Sequence, residues 1–251
     1  MKQYFAGSTL KIVAVLSMLI DHIGQIILKN GIVLNAPYSV FTDKEFAILL
    51  SAVNICHIIG RIAFPIFCFL LAEGFLHTHN IKRYMLNLGA FAIVSEPVYD
   101  LGFRGKLISS EAQNVLFTLL LGLIVLAVIE KSRNNIWVIV ICTSDGALLA
   151  RGCMLDGGYY GILLVVVFYI LYDRKVIKCI AAICIMFICG LEFSPKGILD
   201  PYFLTSACSL ISIFLYNGKR GINMKYFFYI FYPAHLLVLF VITSLAVIPR
   251  L

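Results

Sequence analysis

What this chain has least of is charge. Only 13% of its residues are Asp, Glu, Lys or Arg, about half of the roughly 25% that an ordinary soluble domain carries. A fold of this size with so few charges cannot cover an apolar core with a wetted surface, so the water-soluble classes are excluded. Polar stretches are scarce too. The longest are residues 29–47 and 102–113, which leaves no room for a second, soluble domain, and residues 1–251 read as one integral membrane domain. There is no CxxC pair and no zinc-like Cys/His spacing. The eight cysteines (Cys56, Cys68, Cys142, Cys153, Cys179, Cys184, Cys189 and Cys208) stand singly in apolar stretches, as small packing residues rather than a disulfide framework or a metal set. Internal repeats, low-complexity tracts and nucleic-acid motifs are absent as well. The net charge of +7 is therefore assigned to loops that face anionic lipid headgroups.

What is present is apolar residue: 61% of the chain. A helix needs about 20 mostly apolar residues to cross a bilayer. Candidate spans centre on residues 10–28, 57–76, 83–101, 114–130, 135–151, 158–173, 177–191, 199–216 and 226–247. The expected fold is therefore all-α and polytopic, about nine transmembrane helices in one bundle. The fifth to seventh spans are short, and one or two of them could be re-entrant. Residues 45–56 are apolar but too short alone, and either extend the second helix or lie along the interface. The first span is longer than a signal-peptide core, carries ionisable residues and lacks a small-x-small cleavage site, so it is expected to stay in the mature protein.

Charge placement orients the bundle. With the N-terminus inside, the inner loops hold Lys2, Lys11, Lys82, Arg83, Lys131, Arg133, Arg174, Lys175, Lys178, Lys219, Arg220 and Lys225, and the outer loops hold Lys29, Lys44, Arg104, Lys106, Arg151, Lys196 and Arg250. The excess inside predicts a cytoplasmic N-terminus in a cell membrane.

Ionisable residues at membrane depth are costly and face a protein interior or a wet cavity, so each is a candidate functional residue. Asp21 and His22 lie deep in the first span. Lys11 and His22 are eleven residues apart, within about 20° of three full turns, and share a helix face about 16 Å apart. An anion held by Lys11 could extend an arm toward His22, or Lys11 could simply anchor the helix at the surface. Asp21 points about 100° away from His22 and is expected to reach another helix, with Arg61 as its cationic partner. Arg61 lies too deep for a routine anchor, and Pro65 frees its carbonyl and invites a kink. Glu73 and His77 are one turn apart and can pair. A metal site from His77 and His79 is not expected, since no further ligand has suitable spacing.

Glu96 and Asp100, one turn apart around Pro97, form a polar layer with Asn114, Asp145 and Asp156 at the outer side. That layer could hold a cationic amine or merely cap helix ends. At the inner side, YNGKRG places Lys219 and Arg220 in a Gly-bounded turn, suited to a phosphate or to a plain basic loop. His235 falls at mid-membrane, two residues past Pro233.

The strings LKIVAVLSMLIDHIG, IIGRIAFPIFCFLLAEGFLHTHNIKRY, NVLFTLLLGL, YYGILLVVVFY and LYNGKRGINMKYFFYIFYPAHLL resemble the TraX family, named for the conjugative-pilus protein that acetylates the pilin N-terminus. The resemblance runs from about residue 10 to 240 and is weak over 131–200. The Lys-x10-His arrangement of the first helix is also similar, over one helix only, to the membrane acyltransferase-3 group, where such a histidine is taken as catalytic. The TraX resemblance implies an acetyl-CoA-dependent N-acetyltransferase acting on an amine, a pilin-like protein or peptide in the family's best-known case. From the residues themselves, neither a metal nor a nucleic acid is expected. Acetyl-CoA would dock on the basic inner rim of Lys11, Lys82, Arg83, Lys219 and Arg220. His22 would act as general base, with Asp21 beside it and Arg61 countering the oxyanion or holding a carboxylate. Glu96, Asp100, Asn114, Asp156 and His235 would meet the acceptor. A proton-coupled transporter or flippase is the alternative, since it too would place Asp, His, Arg and Glu in a bundle, although no internal symmetry is visible. A non-catalytic scaffold explains the apolar helices but not their buried charges.

Overall fold

Apolar runs broken by short polar turns leave the backbone one economical way to satisfy its own hydrogen bonds, the helix. The computed structural model describes residues 4–190 and 195–250. Among these there is no β-strand, only two isolated bridges, Phe5 with Tyr216 and Gln113 with Leu155. The helices are α1 (Gly7–His22, running on as a π-helix over Ile23–Val33), α2 (Asp43–Gly60), α3 (Ala63–Leu76), α4 (Ile81–Arg104), α5 (Val115–Lys131), α6 (Ile136–Gly152), α7 (Gly158–Ile170), α8 (Lys175–Gly190), α9 (Pro201–Phe214) and α10 (Lys225–Ile242, running on as a π-helix over Thr243–Val247). Because α2 and α3 are nearly continuous, the described residues form nine helical rods, and each of the nine apolar segments falls on one of them. Lys2 and the end of the seventh segment lie outside the described residues. Three rods, Gly7–Val33, Asp43–Leu76 and Tyr226–Arg250, are long and apolar enough to cross a membrane, and Gly158–Ile170 and Pro201–Phe214 are shorter apolar helices.

Residues 45–56 extend the second rod rather than lying apart from it, and a capping box starts that rod: Thr42 accepts from the Glu45 amide while the Glu45 carboxylate accepts from Thr42. The rod is jointed at Arg61 and Ile62, whose amides donate to Ile58 and Ile59 three residues back, at 3.2 and 3.3 Å. Pro65 is the cause, since it has no N–H to give the Arg61 carbonyl. The Ser17 hydroxyl donates to the Ile59 carbonyl at the joint, 2.5 Å away.

Loops alternate between the two ends of the bundle. At one end the Tyr169 hydroxyl meets Asn134, the Tyr172 hydroxyl meets Glu73, and the strand-like bridge ties Phe5 to Tyr216. At the other, Gln113 and Leu155 bridge the α4–α5 and α6–α7 loops. The starts of α1, α4 and α10 share the first end, as Lys11 over the Phe228 ring and Phe91 stacked on Tyr229 require. The larger apolar core surrounds α3, α5 and α7 and includes Phe69, Leu123, Leu126 and Phe168. A smaller one, with Met18, Ile26, Tyr99, Tyr232, Leu236 and Leu239, lies between α1, α4 and α10. The polar site sits at the edge of this second core.

Candidate active site

α1 changes helical pitch just after His22, where the backbone widens into the π segment. Such widening is common at functional sites because it re-aims side chains that a regular helix would bury. Asn30 anchors the segment: its side-chain amide donates to the Gly102 and Phe103 carbonyls, both at 3.0 Å, which satisfies the last turn of α4 and seats the Phe103 ring edge-on to His22 at 5.3 Å.

His22 is buried and lies 2.7 Å from His235 through Nδ1 and Nε2, respectively. His235 Nδ1 is 2.7 Å from the Phe231 carbonyl, which can only accept, so Nδ1 carries the proton and donates. In neutral His235, Nε2 is then the lone-pair nitrogen, and it accepts from Nδ1–H of His22. That assignment leaves Nε2 of neutral His22 as a lone pair. The backbone carbonyl thus sets the tautomers of both rings.

On the preceding residue, Asp21 points to α2, about 100° round the helix from His22. Its Oδ1 accepts from His57 Nδ1 at 2.9 Å and from an Arg61 guanidinium nitrogen at 3.3 Å. His57 is therefore also fixed with Nδ1–H on a carboxylate and Nε2 free when neutral. The approach depends on Gly60, where a Cβ would stand 2.3 Å from Asp21 Oδ1. Arg61 also donates from Nε to the His57 carbonyl at 3.2 Å and lies over Tyr202, with its side chain 46% exposed.

A cavity of about 150 Å³ joins these groups, lined by Asp21, His22, Gln25, His57, Arg61, Tyr99, Phe103 and Asp156. Asp156 reaches it from the α6–α7 loop, held by its amide donating to the Gln113 carbonyl at 2.8 Å and its carbonyl accepting from Thr118. Gly157, at φ +86°, lets Phe64 pack where a Cβ would clash. Protein atoms crowd Asp156 while its surface opens on the cavity. The protein atoms packed round its carboxyl strip it of solvation and push it above the usual carboxylate range, with the Arg61 guanidinium opposing the rise and Asp21 adding to it.

The other residues singled out in the sequence lie apart from the cavity. Glu96 accepts from the Asn114 backbone at 3.0 Å and from its side chain, and buried Asn114 also donates to the Ala92 carbonyl at 2.8 Å. Buried Asp100 accepts from the Ser109 amide at 2.6 Å. Asp145 is exposed on α6. Glu73 Oε1 is 3.5 Å from His77 and also accepts from Tyr216 at 2.6 Å. Lys11, Lys82, Arg83, Lys219 and Arg220 all stand at the opposite end of the bundle. There the Lys219 and Arg220 carbonyls accept from the first two amides of α1 at 2.8 and 3.0 Å, so the loop offers an anion its two exposed side chains rather than that helix terminus. Sequence reasoning gave no role to His57, Gln25, Tyr99 or Phe103. For His57 the signal was there, four residues before Arg61 and hence on the same helix face.

A family model described as TraX protein matches residues 6–243. The chain belongs to the TraX family. It is also 26% identical, over 259 aligned residues covering 94% of each chain, to a probable fimbrial assembly protein FimC, serogroup H1, of Dichelobacter nodosus. No solved structure matches. The TraX match takes in every residue that lines the cavity, together with His235.

Proposed function

We propose that this TraX-family chain is a multi-pass membrane acetyltransferase, its nine rods spanning a bacterial cell membrane with the N-terminus cytoplasmic, that moves acetyl from acetyl-CoA to an amine. The relative's name, a fimbrial assembly protein, favours a pilin-like protein or peptide as acceptor. The observation that carries the reading is the imidazole relay. Phe231 and His235 hold neutral His22 with a lone pair on Nε2 in a cavity that also contains a guanidinium and two carboxylates. Amide formation from a thioester needs a base for the amine's proton and positive charge for the carbonyl oxygen; His22 and Arg61 supply these types.

Size decides how a donor fits. Pockets that enclose drug-sized ligands run to about 300–1,000 Å³, whereas this cavity holds about 150 Å³. An acetyl thioester end and a small amine fit together, and a nucleotide does not. The nucleotide belongs outside, on the basic end formed by Lys11, Lys82, Arg83, Lys219 and Arg220. The seam between α1 and α10, from Lys11 and Phe228 to His22 and His235, is the route for the arm. Asp156 is suited to receive an ammonium group from the far end.

The test is transfer of labelled acetyl from acetyl-CoA to an amine by the purified protein in lipid nanodiscs. We expect turnover that His22→Ala lowers by about 10²–10⁴-fold, the range for loss of a general base. A folded His22→Ala protein with full activity would remove His22 from the chemistry.

A further inference from the structure

We propose that the site takes its acceptor as an ammonium ion and removes the two protons through two different histidines, His57 for the first and His22 for the second. The inference rests on the acetyltransferase reading and assigns a catalytic role to a residue that reading does not use. The geometry behind it is a duplication. Two imidazoles line one cavity, each held through Nδ1, His57 by the Asp21 carboxylate at 2.9 Å and His22 by His235 at 2.7 Å. Each therefore presents Nε2 as a lone pair when neutral. One base suffices for a neutral amine, and two are needed for an ammonium.

The balance runs as R–NH3+ plus acetyl thioester to R–NH–acetyl plus thiol plus one proton. His57 Nε2 takes the first proton and frees the nitrogen lone pair, which forms the C–N bond at the thioester carbonyl carbon. The nitrogen of that adduct carries the second proton to be lost, and His22 Nε2 accepts it. As the C–S bond breaks, the sulfur leaves with the bonding pair and takes that proton back from His22. Surroundings fit this division. His22 is 8% exposed, so its proton is best returned to a group inside the cavity. The His57 side chain is less enclosed, 19% exposed beside the 46% exposed Arg61, so its proton is the one better able to leave the site. Asp21, between the His57 ring and the Arg61 guanidinium, stabilises the imidazolium formed there, as a buried carboxylate does behind a catalytic histidine.

The experiment compares ethylamine, an ammonium at neutral pH, with 2,2,2-trifluoroethylamine, which is close in shape and largely a free base there, using acetyl-CoA and the purified full-length protein. His57→Gln should lower kcat/KM for ethylamine by about 100-fold or more and for trifluoroethylamine by no more than about threefold, while His22→Gln should lower both by about 100-fold or more. Equal losses for both amines in His57→Gln would reduce His57 to a structural role and overturn the inference. Transfer to neither amine by the unaltered protein would instead overturn the acetyltransferase reading. One measurement on the unaltered protein keeps the inference testable even if the variant does not fold. Nitrogen-15 histidine spectra of the protein without substrate should show His57 and His22 protonated at Nδ1, and an Nε2–H tautomer at His57 would exclude it as the first base.

Discussion

Three histidines and a carboxylate carry the argument at the scale of single residues, and what each can do is fixed by an acceptor that cannot donate. A backbone carbonyl accepts from Nδ1–H of His235, His235 Nε2 accepts from Nδ1–H of His22, and the Asp21 carboxylate accepts from Nδ1–H of His57. His235 therefore acts by holding another ring, which is a positioning role. His235→Phe should remove the acceptor that sets the His22 tautomer, and the loss of a hydrogen bond worth about 1 kcal/mol predicts roughly a fivefold to tenfold fall in kcat. His235→Gln, with a carbonyl oxygen near the same place, should recover part of it while KM stays unchanged. Equal activity in all three proteins would show that His22 needs no such partner.

Helices position these residues by departing from ideal form at particular places. α1 widens after His22, and α2 breaks from α3 at Arg61. The two helices touch where Gly60 leaves room for Asp21 and where Gly24 faces Cys56, whose Cβ would stand 2.5 Å from a Cβ added at Gly24. Small residues are what allow such close backbone approach in membrane bundles. Gly60→Ala should therefore push Asp21 off His57 and Arg61, lowering stability by about 1–3 kcal/mol, as overpacking does, and lowering transfer by more than the stability loss explains. Thermal unfolding and turnover of the purified variant check this, and an unchanged Tm with full activity would mean that α1 can shift without disturbing the site. The kink was legible in Pro65, and the contact of Asp21 with Arg61 in the helical angle between Asp21 and His22. The π segment was not legible, because a change of pitch depends on what the widened turn packs against rather than on local propensity.

The whole molecule separates a basic end from a polar cavity, with Lys11 and His22 about 16 Å apart along α1. This separation predicts that donor binding and chemistry respond to different substitutions. The paired change Lys219→Ala/Arg220→Ala should weaken calorimetric binding of acetyl-CoA by about tenfold or more, since each partly exposed charge contact contributes up to about 1 kcal/mol, while His22→Ala should leave binding nearly unchanged. If neither change affects binding, the nucleotide docks elsewhere; if the protein binds no acetyl-CoA, the site serves another reaction.

The sequence by itself determined the all-helical character and the places of the nine rods. Hydropathy and Gly/Pro punctuation are local properties, and a chain this poor in charge has few alternatives to helices. It also pointed to Asp21, His22 and Arg61 as ionisable groups too costly at membrane depth without a purpose, and put Asp156 in an outer polar layer that could hold an amine or cap helix ends. Only the tertiary structure decided which of the polar residues meet. His235 is distant in sequence from His22 and bonds to it, His57 joins Asp21 rather than standing idle on α2, and Glu96, Asp100 and Asn114 turn to helix ends and loops instead of the cavity. The physical reason is that a side chain's direction follows from its own helix, whereas its partner follows from how helices cross. Crossings here are set by close contacts such as Gly60 with Asp21 and Gly157 with Phe64, which no single segment encodes.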